Sequence, residues 1–308
     1  LNKCKDSVDI TFANLVENYM QDCKVHLKPT TLANKEHLIN TKILPYFADM
    51  LICDIDISTV RKWQNELIAH ENDYAPTYLK TVHNQLSAIF NFAVKYYKLP
   101  SNPASACGSM GKKKAESMQF WTKEEFDSFI KCVSDKPLSK VVFHLFFYSG
   151  MREGELLALT LNDFDFDNNT VSITKNYARL GYEEIIQAPK TPKSKRIITL
   201  PSEIMEMVKE YSSMLYDYKP TDRLFLTSKQ SLTREMIRGC TASGVKRIRI
   251  HDLRHSHASL LIELGFAPLL ISERLGHENI ETTLNTYSHL YPNKHGEVAE
   301  ILSKLIQN

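Results

Sequence analysis

Apolar residues recur at helical spacing along most of the chain. Phe12, Leu15, Val16 and Tyr19 follow Thr11, a residue type that caps helix N-termini. Pro29-Thr30-Thr31 opens a second helical stretch, with Leu32, Leu38 and Ile39 on its apolar side and Pro45 at its end. Ser58 is placed to cap a third, carrying Val60, Trp63 and Leu67. The longest begins at Pro76-Thr77, where Leu79, Val82, Leu86, Ile89, Phe90 and Ala93 follow the i, i+3, i+4, i+7 rhythm. Such stripes are core. Residues 1–106 therefore read as a helical bundle, suited to gripping a partner and lacking any residue set for chemistry.

The rhythm breaks after Leu99. Asn102-Pro103, two glycines, small residues and the run Lys112, Lys113, Lys114 mark a basic interdomain linker, placed at 107–119. A second domain, 120–308, opens with the capping box Thr122-Lys123-Glu124-Glu125. A strongly apolar helix at 141–148 breaks at Ser149-Gly150 and restarts around Arg152. The period then changes to two: 170–174, 182–187 and 196–200 read as three strands of one small antiparallel sheet, with a basic hairpin tip at 188–195. Helices return at 202–218 and 233–240. The stretch 251–287 is mostly helical with breaks at 265–268 and Gly276, and 297–306 forms a last helix. The fold class is mainly α with a small antiparallel β-sheet, in two domains: a helical bundle and a mixed α/β unit.

With 308 residues, 43% hydrophobic and 24% charged, the chain has the composition of a soluble globular protein. No apolar run approaches the roughly 20 residues that span a bilayer, and no signal peptide precedes the first helix. The six cysteines are scattered, without zinc-ligand spacing, as expected of reduced thiols in a cytoplasmic protein. A net charge of +2 does not announce a nucleic-acid binder, but its distribution does. Lys190, Lys193, Lys195 and Arg196 fall in one acid-free stretch. Lys246, Arg247, Arg249 and Arg254 stand against the single acid Asp252, and Lys112–Lys114 make a third patch. Local basic patches of this kind suit a phosphate backbone.

Candidate chemistry concentrates between His251 and Tyr287. His251 and Arg254 lie one helical turn apart and share a face. His277 follows a Leu-Gly step, and Tyr287 comes ten residues later. Arg152, just after a glycine break, is placed to aim inward, with Glu155 three residues on to hold it. Guanidinium, imidazole and phenol together imply a site that binds a phosphate and attacks it with tyrosine. His251, His255 and His257 also admit a metal cluster, but Arg254 among them repels a cation. No acidic cluster invites Mg²⁺, so neither metal nor cofactor is expected.

Four stretches carry a family resemblance: SGMREGEL from Ser149, PKTPKSKR from Pro189, HDLRH from His251 and LGHENIETTLNTYSH from Leu275. In this order the chain resembles the tyrosine recombinases, or phage integrases, and the last stretch looks like those of mobile elements such as conjugative transposons and prophages. Ser149 departs from the usual Thr before the glycine. The resemblance implies a core-binding domain followed by a catalytic domain. It also implies that Arg152 and Arg254 hold the scissile phosphate, that Lys190 is the hairpin lysine, that His251 and His277 are the site histidines, and that Tyr287 is the nucleophile. His255, His257 and His289 then read as structural or supporting. The implied partners are double-stranded DNA at element ends and target sites, further copies in a tetramer joined by the C-terminal helix, and accessory DNA-bending or excision factors, with no membrane. Two other readings fit the same surface: a DNA-binding module that does not cut, and a type IB topoisomerase.

Overall fold

The structure, a computed structural model, describes residues 9–69, 74–111, 118–181, 183–189, 191–290 and 303. It divides into two compact units, residues 1–117 with 180–182, and residues 118–179 with 183–308.

The first unit is helical: α1 (Phe12–His26), α2 (Pro29–Leu38), a π-helical turn (Ile39–Ile43), α3 (Leu44–Phe47), α4 (Ile57–Ala69), α5 (Pro76–Tyr96) and α6 (Pro103–Cys107). Thr11 caps α1 by accepting the N–H of Asn14. The α5 stripe is buried as its spacing predicts, against a core where Phe12 meets Phe47 and Phe90, and Phe47 meets Trp63, at centroid separations of 5.4–5.5 Å. Two expectations are corrected here. The cap of α4 is Asp56, not Ser58: Asp56 Oδ1 takes both the N–H and the hydroxyl of Thr59. The expected linker also starts too early. Cys107 and Met110 are buried in this core, and Arg61 and Gln64 donate to the carbonyls of Cys107 and Gly108 at 2.6 and 2.8 Å. Apolar side chains and satisfied carbonyls keep 107–111 packed. Lys112, Lys113 and Lys114 lie outside the described residues.

The second unit opens with α7 (Lys123–Lys131), whose Thr122–Glu125 capping box forms as predicted. Next comes α8 (Pro137–Ser149), apolar nearly all round and central to the core, as a helix without a polar face must be. After α9 (Glu153–Leu157) come β1 (Phe164–Asp165), β2 (Thr170–Ile173), β3 (Asn176–Leu180), β4 (Glu183–Gln187) and β5 (Arg196–Thr199). The remaining helices are α10 (Ser202–Ser213), α11 (Lys229–Ser243), α12 (Asp252–Glu263), α13 (Pro268–Leu275) and α14 (Ile280–Tyr287).

The single predicted sheet is in fact two. An antiparallel sheet runs β1-β2-β5, with Val171 opposite Ile198, and β3 pairs with β4 alone. A tight turn through Gly181 brings β3 and β4 together at lower loop-closure cost than β4 and β5, which the 188–195 stretch separates. Helix α10 ends at Ser213, short of 218, while α11 begins earlier than expected because Ser228 caps it. The breaks at 265–268 and Gly276 separate α12, α13 and α14 as predicted. The expected last helix, 297–306, lies outside the described residues but for Ser303. Among the described residues no helix is long and apolar enough to cross a membrane.

Candidate active site

Two helix ends organise the site. At the first, α8 stops at Gly150 in the left-handed region (φ 65°), where a Cβ would come within 2.7 Å of His257 and Leu275 side chains. The freed Gly150 carbonyl accepts Arg254 Nη1 at 2.8 Å. At the second, α13 stops at Gly276, also left-handed (φ 67°). A helix C-terminus presents unpaired carbonyls and a partial negative charge, so cations gather there. Here three consecutive carbonyls each take a different arginine. Arg274 O accepts Arg196 Nε (2.7 Å), Leu275 O accepts Arg254 Nη2 (2.7 Å), and Gly276 O accepts Arg152 Nη2 (3.2 Å).

Glu155 is the carboxylate paired with this cluster. Its Oε1 accepts Arg152 Nη1 at 2.7 Å, and its Oε2 accepts both the Arg152 backbone N–H and Arg196 Nη2 at 2.9 Å. Burial pushes the Glu155 carboxyl upward, but Arg196 and Arg152 outweigh it and hold the group below the usual carboxylate range. Arg254, 3% exposed, is lowered to about 9 by burial and by Arg152 and Arg196, so it stays charged at neutral pH. Arg152, with its side chain 34% exposed, is open to solvent. More positive than negative charge is thus held in place, as suits an anion.

The histidines divide by partner. His277 Nδ1 lies 2.7 Å from Thr283 Oγ1, which is fully buried and fixes the ring. Burial and then Arg254 and Arg152 lower His277 to about 3. His251 stays at the surface, directly ahead of α12, and is also lowered, by desolvation and Arg254. His257 is committed elsewhere, Nδ1 to Phe147 O and Nε2 to Arg274 Nε, and among the described residues no group of His, Cys, Asp and Glu is arranged to hold a metal ion.

Tyr287, at the end of α14, packs with Ala258, Ile262, Ile271 and Leu275 and is 1% exposed. Burial raises its hydroxyl to about 12. The ring nitrogen beside it belongs to neither His251 nor His277 but to His255, whose Nδ1 is 2.7 Å from Oη. Burial and His251 lower His255 to about 4, so the ring is neutral and accepts from the phenol. Sequence reasoning read His255 as structural or supporting, without placing it beside Tyr287. Its signal lay in HDLRH, where it follows Arg254 directly and stands one turn from His251; the rings of His251 and His255 meet edge-on at 5.4 Å.

The structure thus brings Arg152, Arg254, Glu155 and His277 together around the end of α13, with Tyr287 packed beneath. Lys190 lies outside the described residues. Of the basic residues expected to face DNA, Lys193, Lys195, Arg247 and Arg249 are exposed, Lys193 donating to Glu278 O and Arg249 pairing with Asp252. Arg196 is corrected: its side chain is 7% exposed and turned inward onto Glu155, because a buried carboxylate needs positive charge held against it.

Known proteins share this architecture. The Tn1549 transposon integrase, solved in complex with transposon right end DNA, superposes with a TM-score of 0.77 at 18% identity, covering 97% of this chain and 100% of that one. The lambda integrase tetramer bound to a Holliday junction superposes at 0.68 and 17% identity, covering 94% and 79%. Among sequences, the ICEBs1 integrase of Bacillus subtilis strain 168 is 29% identical over 99% of this chain and 86% of its own length. The integrase of Staphylococcus phage L54a is 25% identical over 96% and 94%. Fold and sequence likeness together define a tyrosine-type site-specific recombinase of a mobile element, an enzyme that breaks and rejoins DNA. Residues 119–294 match the phage integrase family and residues 11–68 its N-terminal SAM-like domain; the chain belongs to the phage integrase family.

Proposed function

We propose that this integrase cuts DNA with Tyr287 as nucleophile. Tyr287 Oη attacks the scissile phosphorus, the P–O5′ bond breaks, and a 3′-phosphotyrosyl link stores the bond for rejoining without ATP. Arg152 and Arg254 donate to the non-bridging oxygens, where charge accumulates in the transition state. His277 donates to the same oxygens, His251 takes the phenol proton, and Lys190 protonates the leaving 5′-oxygen. The observation that carries this reading is the convergence of Arg152 and Arg254 on adjacent carbonyls of one helix end, a rigid pair of guanidiniums beside His277. Since Tyr287 is buried, the end of α14 moves for the attack.

The exposed Lys193, Lys195, Arg247 and Arg249, with Lys112, Lys113 and Lys114, contact phosphates of double-stranded DNA at element ends and target sites. The bundle grips the duplex, and the catalytic unit cuts it. The apolar stripe of 297–306 docks on a neighbouring copy, so that a tetramer assembles on two DNA sites. Leu264, Phe266, Leu269, Leu270, Ile280 and Leu284, exposed near the site, supply an apolar surface for it. Accessory DNA-bending or excision factors set direction, and the work is done on cytoplasmic DNA.

The test is a nicked duplex carrying the element's end sequence, incubated in EDTA and run on a denaturing gel. A slow covalent protein–DNA band is expected with wild type and none with Tyr287→Phe. No band from wild type, on DNA that the protein demonstrably binds, sinks the nucleophilic reading. Dispersed rather than site-specific cleavage points to topoisomerase behaviour.

A further inference from the structure

Arg196 stands at the head of β5, directly after the basic hairpin tip, yet its guanidinium is turned inward rather than out to solvent. Its Nε donates to Arg274 O (2.7 Å), Nη1 to Ser194 O (3.1 Å) and Nη2 to Glu155 Oε2 (2.9 Å), with the side chain 7% exposed. We propose that Arg196 is a positioning residue for the cleavage reaction: it ties Glu155 to the turn at the end of α13 and thereby sets the two phosphate-binding arginines in register. The proposal rests on the reading of Arg152 and Arg254 as the phosphate clamp.

Both supports of Arg152 run through Arg196. One is Glu155, which grips Arg152 by its backbone N–H and its Nη1. Without Arg196, Oε2 loses one of its two partners, and Glu155 is held only by Arg152, the very group it is to position. The other support is the carbonyl turn: Arg196 Nε holds Arg274 O, and the next two carbonyls hold Arg254 and Arg152. A single planar fork therefore spans from carboxylate to turn. Lysine, a single point charge on a flexible stem, reaches only one end of that span. The approach is close: a Cβ on Gly276 would meet Arg196 Nη1 at 3.0 Å and Cδ at 3.1 Å. Arg196 also anchors the C-terminal end of the tip that carries Lys190, through Ser194 O, while Thr191 Oγ1 and Ser194 Oγ close the tip at 3.0 Å.

The experiment compares wild type, Arg196→Lys and Gly276→Ala, as full chains, on the nicked end duplex. Binding is measured across a salt series, and single-turnover formation of the covalent complex is measured at saturating DNA. A positioning role predicts an unchanged slope of log K against log salt and a cleavage rate reduced about tenfold or more, since small misplacements of catalytic groups cost on the order of 10²-fold. A phosphate contact predicts the reverse: a slope smaller by about one, weaker binding and normal cleavage at saturation. That result overturns the proposal, as does wild-type cleavage by Arg196→Lys. Should Arg196→Lys fail to fold, Gly276→Ala presses on the same side chain from the turn, and wild-type cleavage by that variant is equally fatal. If wild type itself forms no covalent complex, the reading of the clamp falls, while the salt slope still decides whether Arg196 meets DNA.

Discussion

The hydroxyl of Tyr287 lies 2.7 Å from Nδ1 of His255, inside packing that leaves the tyrosine 1% exposed. In the free protein this phenol is thus protonated, partnered and out of reach of a phosphodiester. Burial lowers His255 and raises Tyr287, so the proton stays on the phenol, which donates to the neutral ring.

Replacing His255 with Phe leaves that buried hydroxyl without its acceptor, which costs the stowed arrangement about 1–3 kcal/mol. The covalent complex is then expected to form faster in rapid-quench experiments, by roughly 5- to 150-fold where tyrosine release limits the rate. A slower reaction would identify His255 as the proton acceptor instead.

Arg254→Lys keeps the charge but loses the fork that spans Gly150 O and Leu275 O. Cleavage at saturating DNA is expected to fall about 10²- to 10³-fold, with DNA affinity nearly unchanged. A matching loss of affinity, seen in a gel-shift titration, would contradict a role confined to the transition state.

Gly150→Ala puts a Cβ 2.7 Å from His257 Cδ2 and Leu275 Cδ2, on a backbone that L-residues resist. The strain and overpacking cost about 2–5 kcal/mol, and thermal melting should fall by several degrees. An unchanged melting temperature would mean that the α8 end and α13 separate easily.

Folding also sets the pH response. His255, at about 4, and His257 and His277, at about 3, lie below the ordinary histidine value of 6.5, and His251 is lowered too. Between those folded values and 6.5 the unfolded chain binds more protons. Stability is therefore fully present above about pH 6.5 and declines as pH falls toward 4. Urea midpoints should be lower at pH 5.5 than at pH 7.5; equal midpoints would show these rings to be solvated in the folded state.

Much of the fold was legible where one residue's neighbours in sequence are its partners in space. The Thr122 capping box, the α5 stripe and the helix breaks at Gly150 and Gly276 are local devices, and each formed as read. Strand pairing was not legible, because 182–187 alternates equally well against either neighbour and loop length decided for β3. The caps erred by two residues at α4, where Asp56 accepts more strongly than Ser58.

For the site, the chain alone determined which chemical groups exist and which lie a helical turn apart: Arg152 with Glu155 and His251 with Arg254. Those pairings follow from 3.6 residues per turn and from glycines that only stop helices. Tertiary structure decided what each charge does. Arg196 looks like its lysine neighbours along the chain, but it is drawn inward because Glu155, buried from α9, leaves a negative charge that a guanidinium must compensate. His255 becomes the partner of Tyr287 only because α14 packs back onto α12. Burial and long-range charge are properties of the assembled core, and they separate a side chain that meets solvent from one that holds another in place.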